Sequence, residues 1–325
     1  MEKRFAMLII GIIVVSIFGF SNFGEGKDYP ARPVQIIVAF GAGGSTSMSA
    51  RIIAQAFTQV LEQAFVVVNK PGAGGAIGAA FAAKSKPDGY TLFVFNSASN
   101  GVSPAINPNP GYKNSDFQLI GQYAIGECAM VVKADAPWKT VKDVVEHAKK
   151  NPGALKFPAG TGDSARFSTE LFMMEAGGLK MERIPVESGT EFNQMLLGGH
   201  AQVGVTPAAD VFGLVQAGKF RLLAFSNEER NPEFPDVPTF KEVGLPGVLI
   251  HTWYGLATPK GVPDDIMNKL KETLAAVMKE AAIKGMLKNM GNTPIYKNAE
   301  EFGIFAKRMV GVYERIAKAG NISVK

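Results

Sequence analysis

Apolar positions along the chain fall into two alternating rhythms. Val34-Gln35-Ile36-Ile37-Val38-Ala39-Phe40 is a short apolar run of the kind a buried parallel strand carries. After a Gly-rich turn, Ile52, Ile53, Ala56, Phe57, Val60 and Leu61 recur at helical spacing. Phe65 to Val68, Thr91 to Phe95, Cys128 to Val132 and Lys156 to Ala159 predict further strands. So do Met181 to Val186, Val203 to Thr206 and Leu222 to Ser226. Thr140 and Asp143 match the capping-box pattern ahead of an apolar face of Val141, Val144, Val145 and Ala148. Near the end, Ile266, Leu270, Leu274, Val277, Met278 and Ala281 stripe one helix. Phe302, Phe305, Met309, Val312, Tyr313 and Ile316 stripe another, with Asn298 and Glu301 at its start. Strands alternating with helices predict an α/β architecture with mostly parallel sheets.

The first residues break this rhythm. Basic Lys3-Arg4 precedes an uncharged apolar run, Phe5 to Phe20. That run is shorter than the roughly 20 residues a membrane-spanning helix needs, and its flanks are those of a secretory signal. We therefore expect residues 1–21 to be a signal peptide, with an uncleaved membrane tether as the second reading. No cysteine lies nearby, so a lipid-modified N-terminal cysteine is excluded.

Composition narrows the function classes. The chain has 325 residues, 46% hydrophobic and 19% charged, which is globular and large enough for two domains. The net charge of +5 is spread along the chain with no long basic run, so no nucleic-acid partner is expected. The single cysteine, Cys128, rules out an intramolecular disulfide and a Cys-based zinc site. The histidines, His147, His200 and His251, stand far apart in sequence, and no metal or cofactor is expected. Gly162-Asp163-Ser164-Ala165-Arg166 misses the nucleophile elbow, and no Walker A motif occurs. Asp264-Asp265 and Glu300-Glu301 stand at helix starts, where they complement the dipole.

Three Gly-rich loops carry the candidate chemistry. Phe40-Gly41-Ala42-Gly43-Gly44-Ser45-Thr46-Ser47 joins a predicted strand to a helix. Its glycines allow close backbone approach, and the helix N-terminus offers unpaired N–H groups to an anion. A plain tight turn with a hydroxyl cap is the alternative. Pro71-Gly72-Ala73-Gly74-Gly75-Ala76-Ile77-Gly78 misses the dinucleotide fingerprint by one residue, Ile77, and predicts a helix packed closely on the sheet. Ala159-Gly160-Thr161-Gly162-Asp163-Ser164 repeats the logic of the first loop in the other half of the chain. Two such loops predict a cleft with an anionic ligand between them.

Taken in order, the motifs resemble a known family. Tyr29-Pro30-Ala31-Arg32-Pro33, Asn69-Lys70-Pro71-Gly72-Ala73-Gly74-Gly75 and Pro87-Asp88-Gly89-Tyr90-Thr91-Leu92 are the first. Leu196-Leu197-Gly198-Gly199, Ala217-Gly218-Lys219 and Pro235-Asp236-Val237-Pro238-Thr239 follow. Gly244-Leu245-Pro246-Gly247 and Trp253-Tyr254-Gly255-Leu256-Ala257-Thr258-Pro259 complete the set. The chain resembles the solute-binding proteins of tripartite tricarboxylate transporters, the Bug receptor or TctC-like family, from about Tyr29 to Gly320.

The resemblance implies a two-lobe periplasmic binding protein fold of type II, each lobe a mostly parallel sheet flanked by helices, with a hinge between. Residues 28–125 would begin lobe 1, residues 126–250 would form lobe 2, and residues 251–325 would return to lobe 1 with the C-terminal helices. It implies a monomeric, extracytoplasmic, non-enzymatic receptor that hands a small organic carboxylate to a large and a small integral membrane subunit. A ligand-binding co-receptor for a sensor kinase and a secreted hydrolase are the alternative functions. The implied binding residues are Phe40, Ala42, Gly43, Gly44, Ser45, Thr46 and Ser47, then Ser97, Ala98 and Ser99, then Gly160, Thr161, Gly162 and Ser164, and finally Thr206 and Pro207. Where the family usually carries Asp, this chain has Ser47 and Thr206. Either those changes are neutral, or they fit a ligand of greater negative charge, such as a di- or tricarboxylate. Glu187 stands where the family commonly has Lys, which puts a cationic contact from lobe 2 in doubt.

Overall fold

A computed structural model of the protein describes residues 29–160 and 163–323. The signal-peptide expectation for residues 1–21, and Thr161 and Gly162, lie outside the described residues. The chain runs β1 (Val34–Val38), α1 (Ser45–Leu61), β2 (Phe65–Asn69), α2 (Ala76–Ala83), β3 (Thr91–Asn96), α3 (Ser103–Ile106) and β4 (Phe117–Lys133). It continues with α4 (Val141–Lys150), β5 (Lys156–Ala159), α5 (Ser164–Glu175), β6 (Glu182–Pro185), α6 (Gly189–Leu197), β7 (Val203–Pro207), α7 (Ala208–Gln216) and β8 (Phe220–Phe225). It ends with β9 (His251–Pro259), α8 (Asp264–Val277), α9 (Ala281–Asn289), β10 (Asn292–Asn298) and α10 (Ala299–Ala319).

The sheets are mixed, where mostly parallel sheets were expected. β1 pairs in parallel with β2 and β3, and β5 with β6, while β3–β9, β4–β9, β4–β10, β4–β7 and β4–β8 are antiparallel. The reason is the connection between the two halves. β4 runs on for 17 residues, pairing through Phe117–Glu127 with β9 and through Cys128–Lys133 with β7 and β8. β9 runs back beside it, so each half is entered and left by antiparallel strands. The long strand is not one apolar run, because Gly121, Gln122, Gly126 and Glu127 interrupt it. Its register shifts between Leu119 and Gly121 and again between Gln122 and Ala124.

Apolar burial follows the predicted stripes. Ile36, Val38, Ile53, Phe57, Leu92, Val94, Leu256, Leu270, Leu274 and Val277 share one core around the first half. Ala129, Val131, Phe157, Phe192, Val211, Leu222 and Phe225 share another in the second half. The predicted capping box of Thr140 with Asp143 forms, and Asn298 and Glu301, noted at the start of the last helix, form a second one. Each is worth about 0.5–2 kcal/mol. The second Gly-rich loop serves packing. A Cβ at Gly78 would meet Ala39 Cα and the Lys70 carbonyl at 2.7 Å each, so only glycine lets α2 lie this close to the β1 edge. Cys128 is fully buried, and that burial pushes its thiol up to about 12. It is an inert core residue. No helix among the described residues is long and apolar enough to cross a membrane.

Candidate functional site

A cavity of about 70 Å³ lies between the two halves. One wall is the end of β1 with the start of α1 (Phe40, Gly41, Gly44, Ser45, Thr46), the end of β3 (Asn96, Ser97, Ala98), and Thr252 and Tyr254 on β9. The facing wall is Asp163, Ser164 and Ala165 at the start of α5, Glu187, Ser188, Gly189 and Phe192 around the start of α6, and Thr206, Pro207 and Asp210 at the junction of β7 and α7. Carboxyl ends of strands and N-termini of following helices are where open α/β sheets place ligands.

Four helix N-termini, those of α1, α5, α6 and α7, converge on this space. Each carries unpaired N–H groups and about half a positive charge. No Lys, Arg or His lines the cavity among the described residues. Its affinity for an anion therefore rests on dipoles, amides and hydroxyls.

The loop after β1 is held from behind. Asn69, at the end of β2, donates to the Phe40 carbonyl (2.7 Å) and to Ser47 Oγ (3.1 Å). Ser47 is buried against Asn69 and stands off the cavity wall, so its replacement of an Asp alters the support of the loop and not the cavity's charge. Ala42 and Gly43 are also off the wall. The Ala42 carbonyl accepts from Thr190 Oγ1 of α6 (3.5 Å), and Gly43 has φ +87°. Gly160 lies behind the wall, donating its N–H to Asp163 Oδ2 (2.7 Å).

Asn96 organises the loop after β3. Its Oδ1 accepts from Ala98 N and Ser99 N, both at 2.9 Å, and from Ser99 Oγ at 3.2 Å. Ser99 is thus consumed internally and does not reach the cavity; its carbonyl also accepts from Tyr112. Two backbone donors fix the orientation of the Asn96 amide. Its Nδ2 is buried, has no partner among the described residues and belongs to a residue of the cavity wall. An orphan buried donor of this kind points to a missing acceptor. Ser97 Oγ lies 3.4 Å from Ser164 Oγ on the opposite wall.

Three carboxyl groups also line the space. Asp163 caps α5, accepting from Arg166 N (2.8 Å) and Gly160 N. Burial raises its pKa against those two hydrogen bonds and against the fields of Arg183 and Arg166. Asp210, in the first turn of α7, accepts from Ser45 N (2.6 Å) on the far side of the cleft. Burial pushes it up to about 6, with repulsion from Asp163 adding to the rise. Glu187 is exposed at the rim. On the first wall, Ser45 Oγ shares a hydrogen bond with Tyr254 Oη (3.2 Å), and burial keeps that phenol protonated.

Of the residues expected from sequence, Phe40, Gly44, Ser45, Thr46, Ser97, Ala98, Ser164, Thr206 and Pro207 meet at the cavity. Asn96 and Asp163 stand in the stretches Asn96 to Ser99 and Gly160 to Ser164 that the resemblance implies as binding loops, whereas Asp210, Phe192, Thr252 and Tyr254 were not expected there. Asp210 had a legible signal, an acid in the first helical turn after a strand end. Its reach across the cleft had none. His251 bonds Asn227 Oδ1 (3.2 Å) and stays off the wall, and no three metal-ligating side chains cluster among the described residues.

Two α/β lobes joined by β4 and β9, with a dipole-lined cleft between them, define a binding protein of the periplasmic type. Residues 49–322 match the tripartite tricarboxylate transporter family receptor. The chain belongs to this family. It is 30% identical over 299 residues to protein BugT of Bordetella pertussis, with 91% of each chain covered. The structure of a periplasmic transporter superposes with a TM-score of 0.88 at 33% identity, covering 91% of this chain and 100% of that one. A protein of R. palustris solved with adipate superposes with a TM-score of 0.87 at 27% identity, covering 91% of this chain and 99% of that one.

Proposed function

We propose that this protein is an extracytoplasmic receptor that captures a small organic carboxylate between its lobes and delivers it to a tripartite membrane transporter. The observation that carries this reading is the buried Nδ2 of the wall residue Asn96, unpartnered among the described residues, in a cleft where four helix N-termini meet with no Lys, Arg or His among its described lining. An acid's carboxylate supplies the acceptor that Asn96 lacks, and Ser97 and Ser164 close on it from the two walls. Charge-assisted hydrogen bonds of about 1.5–3 kcal/mol each support micromolar affinity from a few such contacts. Residues 28–125 with 251–325 and residues 126–250 act as the two moving lobes, hinged where β4 and β9 cross. Ligand shifts the equilibrium toward the closed form.

Export by residues 1–21, a monomeric state, absence of enzymatic activity and docking on a large and a small membrane subunit belong to the same reading. Adipate bound to the R. palustris relative supports the ligand class. Thermal unfolding of the purified protein with a panel of small organic acids tests it. An acid at a hundred times its Kd adds about 2.7 kcal/mol of stability. A panel in which no acid raises the Tm contradicts the reading.

A further inference from the structure

The four helix N-termini at the cleft are not equivalent. Asp163 caps α5 and Ser188 caps α6 from within their own lobe. α1 begins after Gly44, which has no side chain to cap with, and no acid stands in its first turn. Its first N–H is satisfied from the opposite lobe, by Asp210 Oδ1 at 2.6 Å. Asp210 thus stands as an in-built carboxylate on the α1 N-terminus. The orphan donor Asn96 Nδ2 lies elsewhere on the same wall, at the end of β3.

An acid that satisfies Asn96 with one carboxylate brings its other end into a cavity that Asp210 and Asp163 also line. No Lys, Arg or His among the described lining residues offsets a second negative charge there. Like charges brought together in a desolvated site cost several kcal/mol, whereas a hydroxyl or ammonium group would donate to the waiting carboxylate.

We propose that Asp210 sets the substrate class, so that the site prefers an acid with one carboxylate and a hydrogen-bond donor at its other end over a di- or tricarboxylate. This inference rests on the carboxylate-receptor reading above. It runs against a ligand of greater negative charge, the expectation raised by Ser47 and Thr206. Of those two, only Thr206 is on the wall, and Asp210 returns a negative charge to it.

Calorimetric titration at about pH 8, where Asp210 is ionised, tests the inference with length-matched probes: succinate, 4-hydroxybutyrate and 4-aminobutyrate. The wild type should bind one of the donor-bearing acids at least about tenfold more tightly than succinate. Asp210→Asn should close or invert that ratio by strengthening succinate binding. Succinate binding the wild type as tightly as both of its partners overturns the inference while leaving the receptor reading intact. A ratio unchanged in Asp210→Asn does the same. Absence of binding by any small acid to either protein overturns the receptor reading and this inference with it.

Discussion

Replacing Asn96 by Asp separates binding from folding at a single atom. In the native loop, Asn96 Oδ1 accepts from Ala98 N, Ser99 N and Ser99 Oγ, while Nδ2 has no partner among the described residues. Asp is nearly isosteric and keeps an oxygen for those three donors. Only the unpartnered group changes, from an N–H donor to an anionic acceptor. Losing a hydrogen bond to a charged ligand costs about 1.5–3 kcal/mol, or about ten- to 150-fold in Kd, and carboxylate repulsion adds to this. The two backbone N–H groups favour the new charge, which limits the loss of stability. Asn96→Leu is the structural control. It strands two buried N–H groups at about 1–3 kcal/mol each, and should unfold at clearly lower temperature. The assay is calorimetry with the acid giving the largest thermal shift, alongside urea unfolding of each variant. Asn96→Asp binding that acid within about twofold of wild type would refute the assignment of Nδ2 as a ligand donor.

Three further outcomes follow from the same geometry. Asp210 rises from 3.8 to about 6 on folding, so between those values the folded state holds a proton that the unfolded chain has lost. Stability of the ligand-free protein should therefore fall as pH rises from about 4 to about 7, by up to about 3 kcal/mol, and Asp210→Asn should flatten that slope in urea titrations. A Cβ at Gly43, where φ is +87°, would sit 2.6 Å from Thr190 Oγ1 of the opposite lobe. Gly43→Ala should lower stability by about 1 kcal/mol and also weaken binding; adding Thr190→Ala should restore affinity but not stability. Gly78→Ala, pressed against Ala39 and Lys70, should cost about 1–3 kcal/mol by urea unfolding with acid binding unchanged.

Much of the architecture was written in local pattern. The Thr140 capping box, the helical stripes and the strand cores of β1, β2, β3, β5, β7 and β8 are short-range signals. The mixed pairing was not legible, because it is set by β4 and β9. Those strands are broken in sequence by Gly121, Gln122 and Gly126 and by Gly255, and the extended backbone is held by partners far along the chain. The cavity was half legible. Gly-rich strand-to-helix loops point to Gly44, Ser45 and Ser164, since glycine and hydroxyl residues at a helix start suit an anion site, although they also serve as plain caps and turns. Ser47 and Ser99 looked equivalent to their neighbours, yet one turn of helical geometry points them at Asn69 and Asn96. The reach of Asp210 across the cleft was hidden for the opposite reason. Its partner, Ser45, is 165 residues away.

A crystal structure of the protein with its best-binding small acid decides whether Asn96 holds the ligand. One carboxylate should lie within about 3 Å of Asn96 Nδ2, enclosed by Ser97 and Ser164, with the lobes closed over it. An acid bound on one lobe alone, or outside the cleft with Asn96 Nδ2 still unpartnered, would contradict that assignment.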